Sequence, residues 1–242
     1  MRECLIFVSD VHAQPGNTER ASRFCSFLDS LKGTATALYV LGDLFDSWMG
    51  RGDGKQPAYR MVIEKLRELS GAGAAVHLLP GNWDFLLDAE TARMAGATIC
   101  RDETRLVLDG STVLLCHGDG FCVRDHGHQR FSRFLRHPMF PPAYQALPFF
   151  VRKSLHWLMR RISRWRTSLK TREQLEMSTH AVERAFASGA DVIVCGHTHR
   201  IEVRHGQGAN SARTLYNLGC WSDNGSYLTY KDGEFSMHQF RW

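Results

Sequence analysis

Five short pieces of the chain carry side chains able to hold a cation or move a proton. They are Asp10-Val11-His12, Gly42-Asp43, Gly81-Asn82-Trp83-Asp84, His117-Gly118-Asp119 and Gly196-His197-Thr198-His199. Together they offer carboxylate, carboxamide and imidazole donors, with no sulfur required. A mixed oxygen and nitrogen set suits Mn²⁺, Fe²⁺, Zn²⁺ and similar borderline cations better than Ca²⁺, which prefers oxygen ligands. The glycines beside the donors permit sharp turns and close approach of backbone to a phosphate. One piece alone is weak evidence, because Gly-Asp is usually a turn and a single histidine at a strand end is more often a satisfied core or surface residue. Five in one chain, all in the same kind of position, are hard to assemble by chance.

That shared position is the exit of an apolar run. Residues 5–8, 38–41, 76–79, 112–116 and 192–195 read as strands, and each leads directly into one of the five pieces. Ligand sites in α/β sheets assemble at the carboxyl ends of strands. Apolar residues at helical spacing cover 19–31 (Phe24, Phe27, Leu28, Leu31), 57–69 with Pro57 in the first turn, 85–94 and 173–188. Strands 104–108 and 112–116 are joined by Asp109-Gly110, and the tail alternates over 214–217, 227–230 and 235–240 with Asp232-Gly233 between the last two. Both dipeptides are hairpin signals. The expected class is α/β (α+β), two sheets packed together and flanked by helices, in a single domain spanning residues 1–242.

Residues 127–170 belong to neither sheet. They show helical spacing, four prolines and many aromatics, and read as a helical insertion between a donor-bearing loop and the returning sheet. Charge concentrates there. The net charge of +5 conceals twelve Lys/Arg and one acid, Asp125, between Arg124 and Arg172, against eighteen basic and twenty-four acidic residues elsewhere. An acidic body with a basic insert should meet anionic partners at the insert. Composition is otherwise that of a globular protein, 43% hydrophobic and 23% charged. The weakly polar stretch 139–151 is too short and proline-rich to span a bilayer. The start of the chain does not read as a signal peptide, since its apolar run leads straight into Ser9 and Asp10. Seven cysteines with no C-x-x-C pair suit a reducing cytosol better than a disulfide framework.

The order D-x-H, G-D, G-N-x-D, lone His and G-H-x-H resembles the calcineurin-like metallophosphoesterase family, a β-sandwich flanked by helices. The resemblance implies two divalent ions. Asp10, His12, Asp43 and His199 would hold one, and Asp43, Asn82, His117 and His197 the other, with Asp43 shared. Asp10, Asp43, Asn82, His117 and His197 would then be catalytic, through a hydroxide bridging the two ions that attacks phosphorus.

Longer stretches resemble a narrower family, the UDP-2,3-diacylglucosamine pyrophosphatases of lipid A biosynthesis. They include Leu41-Gly42-Asp43-Leu44-Phe45, Asp84-Phe85-Leu86-Leu87, and Ala146-Leu147-Pro148-Phe149-Phe150-Val151-Arg152-Lys153 inside the insert. That likeness implies Mn²⁺, cleavage of a nucleotide-activated glycolipid to UMP and 2,3-diacylglucosamine 1-phosphate, and a peripheral place on the cytoplasmic face of the inner membrane, with no nucleic acid as partner. It also implies substrate contacts at Asn82, Trp83, Asp125, Ser163, Thr167, Lys170 and His197. Trp83 departs from the pattern: the broad family has His there and the lipid pyrophosphatases Arg, whereas Trp has one N–H donor and no charge. This tolerates a phosphate leaving group better than an alkoxide. Leu135, Phe140, Tyr144, Leu147, Phe149, Phe150, Leu155 and Leu158 are candidates to line an acyl slot. Arg152, Lys153, Arg160, Arg161, Arg164 and Arg166 are candidates to face anionic headgroups. Three alternatives stay open: another nucleotide-diphospho-lipid as substrate, a nucleic-acid or nucleotide phosphodiester, and a metal-bearing interaction protein without turnover.

Overall fold

Alternate residues of the first strands serve two different cores, which is why their sequences are apolar without interruption. The computed structural model describes residues 3–207, 212–222 and 225–242. The chain opens with β1 (Cys4–Val8), α1 (Thr18–Leu31), β2 (Ala37–Leu41), α2 (Pro57–Gly71), β3 (Ala75–Leu79), α3 (Ala89–Met94) and β4 (Ala97–Ile99). A hairpin follows, β5 (Glu103–Leu108) and β6 (Ser111–Cys116), then the helices α4 (His126–Leu135), α5 (Phe140–Gln145) and α6 (Phe149–Ser168). Short helices α7 (Arg172–Leu175) and α8 (Thr179–Ala187) lead to β7 (Val192–Cys195), β8 (Glu202–Gln207), β9 (Ala212–Asn217), β10 (Ser226–Lys231) and β11 (Glu234–Gln239).

One sheet has the order β11-β10-β1-β2-β3-β4 and the other β5-β6-β7-β9-β8. Leu5, Phe7, Ala37, Tyr39 and Leu41 meet Val113, Leu115, Val192 and Val194 of the second sheet. Their neighbours Ile6, Val8, Leu38 and Val40 turn the other way, onto Phe24 and Leu28 of α1 and Val62 and Leu66 of α2. On the far side Leu114, Ile193 and Cys195 pack under Val182 and Phe186 of α8. The layers are therefore helix, sheet, sheet, helix, and the inner strands are covered on both faces. Both hairpin dipeptides take left-handed backbone, with φ of 46° and 82° at Asp109-Gly110 and 53° and 85° at Asp232-Gly233. Two left-handed residues in succession match the twist of the strands they join.

The structure departs from the sequence expectation in four places. The helix expected over 85–94 begins only at Ala89: Leu86 and Leu87 are drawn into the core, the Leu87 N–H closes a turn on the Asp84 carbonyl at 2.9 Å, and Asp88 caps the helix by accepting from Thr91 N at 2.8 Å. The helix expected over 173–188 is two helices, because buried Met177 interrupts it and the Ser178 N–H bonds the Phe121 carbonyl at 2.9 Å. Strands β4 and β8 were not foreseen; both lie on sheet edges, where short half-exposed strands carry little apolar signal. Fourth, the proposed acyl-lining residues divide. Leu135 and Tyr144 are buried and Phe140 and Leu147 pack on the first core, while Phe149, Phe150, Leu155 and Leu158 are exposed.

Helix α6 has a narrow inner stripe and a broad outer one. His156 is buried, Arg152, Arg160 and Ser163 half-buried, and most of the remainder exposed. The arginines of that stripe fasten the helix to the body. The Arg152 guanidinium donates to the Met49 carbonyl at 2.6 Å, and Arg160 donates to the carbonyl of Asp46 and forms an ion pair with its carboxylate at 2.8 Å. Just past α4, Arg136 pairs with the Asp119 carboxylate at 2.7 Å. Two of the arginines assigned to headgroups are thus committed inward. All seven cysteines are free thiols, and no described helix is long and apolar enough to cross a membrane.

Trp221, in the turn after β9, is 2% exposed and wedged between Phe24 and Phe27 with ring centroids 4.9 and 4.8 Å away. Its backbone N–H donates to the Asp10 carbonyl at 3.1 Å. Trp221→Ala should cost about 3–5 kcal/mol, read as a lowered urea midpoint with an unchanged m-value; a loss under 1 kcal/mol would show the wedge carries no packing energy.

Candidate metal centre

The five donor-bearing pieces follow β1, β2, β3, β6 and β7, which lie side by side across the two sheets. Backbone bonds zip their loops together. Asp10 N donates to Gly42 O at 3.1 Å, His12 N to Asp43 O at 2.9 Å, and Gly196 N to His117 O at 2.9 Å. Five of the donors, Asp10, His12, Asp43, His197 and His199, hold left-handed backbone, with φ between 47° and 72°. Among the described residues the only other non-glycine positions of this kind are the two hairpin aspartates. Each costs on the order of 1–2 kcal/mol, and such strain gathers where a site requires it.

Hydrogen bonds then leave a particular set of atoms free. Asp10 is fully buried, and its Oδ2 accepts from Ser9 Oγ at 2.7 Å and from His197 N at 2.8 Å, whereas Oδ1 has no partner. Asp43 Oδ1 accepts from Trp83 N at 2.9 Å, leaving Oδ2 toward His12 Nε2 at 3.8 Å and His117 Nε2 at 3.6 Å. His117 Nδ1 lies 2.9 Å from the Leu41 carbonyl. A carbonyl can only accept, so Nδ1 carries a proton, and in the neutral ring the unpartnered Nε2 is the lone-pair atom. His12 Nε2 and His199 Nε2 are 3.1 Å apart, and Asp10 Oδ1 is 3.4 Å from the latter. Asn82 Nδ2 and His197 Nδ1 are 2.9 Å apart, and Asn82 Oδ1 is buried and unpartnered.

Charge follows the same division. Burial works to raise the Asp10 pKa, but His199, with Nε2 3.4 Å from Oδ1, and the His117 and His12 imidazoles more than offset it, so the group lies well below the usual carboxylate range. Burial, reinforced by His117 and His128, holds His197 well below an ordinary histidine and keeps it neutral. Asp84, beneath the β3 loop, is pushed up to about 7 by burial and by Asp43. Its carboxylate receives the N–H groups of Gly81 at 2.6 Å, Phe45 at 3.2 Å and Asp43 at 3.3 Å, binding two donor loops together.

A cleft of about 290 Å³ lies over this cluster. His12, Asp43, Asn82, Trp83, His197 and His199 line its floor, and Asp10 and His117 are buried below. Asp125, Ser163, Thr167 and Lys170 line the side formed by the helical insert. Asp125 caps α4 by accepting from His128 N at 3.0 Å and pairs with Lys170 Nζ at 2.5 Å. Trp83 has its ring under the Arg160 guanidinium, 4.7 Å from the ring centre, with the His156 ring edge-on at 5.9 Å. A second, apolar pocket continues from the cleft between α4 and α6. It shares Asp125, His128, Ser163 and Lys170 and adds Gly127, Phe131, Met159, Ile162 and Arg166.

Sequence reasoning did not single out Asp46 or Cys220, and gave Asp119, inside one of the five pieces, no role of its own. Asp46 lies 3.6 Å from His12 Nδ1 and anchors Arg160; Asp119 ties the loop after His117 to Ser132, Arg136 and α4; and Cys220 stands beside His12 and His199. Cys220 had a findable signal, since it too follows a strand exit, that of β9.

Residues 5–200 match the calcineurin-like phosphoesterase family, and the chain belongs to it: it is a metal-dependent phosphoesterase with that family's mixed α/β fold. Along nearly its whole length it is similar to proteins named UDP-2,3-diacylglucosamine hydrolase. The protein of that name from Pseudomonas syringae pv. tomato is 34% identical over 98% of this chain and 95% of its own length. One from Pseudomonas fluorescens (strain Pf0-1) is 33% identical with the same coverage. Among solved structures, a dimetal phosphatase from Danio rerio superposes with a TM-score of 0.51 at 12% identity, covering 98% of this chain and 95% of that one, which bears on the fold alone.

A methyl group on Gly196 would sit 2.0 Å from Ser9 Oγ and 2.2 Å from Asp10 Oδ2. Gly196→Ala should therefore push the β1 and β7 exits apart, costing about 2 kcal/mol or more. Metal content measured by elemental analysis should fall with it; full metal content at wild-type stability would refute this account of the close approach.

Proposed function

We propose that the chain hydrolyses the diphosphate bond of UDP-2,3-diacylglucosamine, releasing UMP and 2,3-diacylglucosamine 1-phosphate in lipid A biosynthesis. The relatives' names suggest the substrate. The observation that carries the reading is the junction of the donor cluster with an apolar pocket through shared residues Asp125, His128, Ser163 and Lys170. An acylated sugar phosphate has that shape: a charged end at the cations and a hydrocarbon end between α4 and α6. The acyl slot is accordingly proposed at Phe131, Met159 and Ile162 rather than at the residues first considered.

The unpartnered atoms fit two cations. Asp10 Oδ1, Asn82 Oδ1 and His117 Nε2 are buried without hydrogen bonds, a costly state unless something else binds them. We assign Asp10, His12, Asp43 and His199 to one ion and Asp43, Asn82, His117 and His197 to the other, with Mn²⁺ suiting this oxygen and nitrogen set. Two bound divalent ions supply a water-derived nucleophile at neutral pH and neutralise the phosphoryl oxygens. The chain's own part is positional. Asp10 and Asp43 each offer one free oxygen, their other oxygens being fixed by N–H and O–H donors. Lys170, oriented by Asp125, faces the cleft where a phosphate or sugar hydroxyl would lie. Trp83 gives no proton to a leaving group, and a phosphate leaving group needs none, because with a second pKa near 6 it departs as the anion.

The chain is read as one domain with residues 127–170 as its cap, working as a peripheral protein on the cytoplasmic face of the inner membrane, without nucleic acid. The outer face of α6 supports this. Phe150, Trp157 and Trp165 of α6 and Leu169 just after it are more than half exposed, beside Lys153 and Arg161. Exposed apolar and basic side chains on one helix suit an anionic bilayer surface, with each basic residue worth about 1 kcal/mol there.

The test is UMP release from UDP-2,3-diacylglucosamine in detergent with Mn²⁺, beside a generic phosphodiester. Asp43→Ala should lose at least ~100-fold in rate together with bound metal, since several kcal/mol of charge stabilisation leaves with the ions. Turnover of the generic ester alone would overturn the lipid reading and leave the phosphoesterase standing.

On anionic vesicles, Trp157→Ala combined with Trp165→Ala should weaken binding, and salt should weaken it further. Unchanged partition into the lipid fraction would remove the peripheral-membrane reading without touching the chemistry.

A further inference from the structure

We infer that Cys220 is an eighth donor at this centre, a sulfur ligand to the cation held by Asp10, His12 and His199. The inference rests on the two-cation reading and deepens it. One ligand atom each from His12, His199 and Cys220 lies within 4.8 Å of the other two. Among the described residues, no other cysteine stands in such a group. Asp10 Oδ1, fully buried and unpartnered, is 3.4 Å from His199 Nε2 and is free to join the set.

Cys220 is 7% exposed, and the chain on either side fixes its place. The next residue, Trp221, bonds the Asp10 carbonyl through its N–H and fills the core with its indole, so the loop moves with the β1 exit. The Ser222 N–H donates to Cys220 Sγ at 3.4 Å, and the Ser222 hydroxyl lies 3.1 Å from it. Donors aimed at a sulfur steady it as a metal ligand and tune the metal it binds.

The His12–His199 separation of 3.1 Å suits two nitrogens on one ion, whose metal–nitrogen bonds are roughly 2.0–2.1 Å. A metal–sulfur bond of roughly 2.3 Å reaches further, which places the thiol at the outer edge of the same sphere. On binding, the thiol proton is released to solvent. The consequence is selectivity. With a soft donor added, this half of the centre favours Zn²⁺, Fe²⁺ or Co²⁺, while the half made by Asn82, His117 and His197 keeps the oxygen and nitrogen set that suits Mn²⁺.

Cobalt titration of the chelator-treated full-length protein tests this without an activity assay. Ligated Co²⁺ gives visible absorption, and a cobalt–thiolate bond adds an intense near-ultraviolet charge-transfer band. The wild type should show both. Cys220→Ser and Cys220→Ala should keep the visible bands and lose the near-ultraviolet one, and their Zn²⁺-over-Mn²⁺ affinity ratio should fall by about tenfold or more. Visible bands without the near-ultraviolet band in the wild type would overturn the inference, leave the two-cation reading intact and reduce Cys220 to a neighbour of His199. No visible bands beyond the weak ones of free aqueous Co²⁺ would overturn both. The wild-type spectrum decides the matter even if a variant fails to fold.

Discussion

A carboxylate taken wholly out of water with one oxygen unpaired is an unstable arrangement, and much of this structure serves to hold Asp10 in it. Removing a charge from water costs several kcal/mol unless it is paired. Here the protein meets half of the requirement, with Ser9 and the His197 N–H on Oδ2, and leaves Oδ1 unbonded. The same half-satisfaction recurs at Asp43, whose Oδ1 takes the Trp83 N–H, and at His117, whose Nδ1 is committed to the Leu41 carbonyl. In each case the bond that is made orients the atom left free. The left-handed backbone at five donors belongs to the same design, because it turns successive side chains toward one point just past the strand ends.

Those constraints explain why the strands must be apolar on both faces. An unsatisfied donor set stays in place only if the backbone beneath cannot shift, and the inner strands are gripped by helices on one side and the opposite sheet on the other. Trp221 extends that grip to the last loop of the site. Asp84 does the same from below, as a group that contacts nothing in the cleft yet joins three backbone N–H groups from two donor loops.

The sequence made the centre legible for a physical reason. Donors at strand exits are local features: an apolar run of four or five residues followed by Asp-x-His or Gly-Asp needs no tertiary knowledge to be read. What it could not show were decisions taken by packing. Residues 85–88 have helical apolar spacing, yet Leu86 and Leu87 gain more by dropping into the core, and the helix starts four residues late. Residues 173–188 are split because Met177 is buried where a continuous helix would not put it. In the insert, composition gave the apolar and basic residues but not their directions. Tyr144 and Leu135 turned out to anchor the insert, while Phe150 and Trp165 face outward.

Trp83 shows how a departure from a motif is absorbed. The bond that position 83 makes to Asp43 comes from its backbone N–H, which every residue but proline supplies, so the side chain is free to vary without disturbing the carboxylate. A charged side chain is absent there, but a charge is present: the Arg160 guanidinium lies over the indole face, fixed from behind by Asp46. Trp is the aromatic residue that best holds a cation on its ring. Asp46 in turn lies 3.6 Å from His12 Nδ1. The helical insert is thereby connected to the donor cluster through one continuous chain of contacts, Trp83, Arg160, Asp46 and His12, and the position where the motif differs is the point at which insert and centre meet.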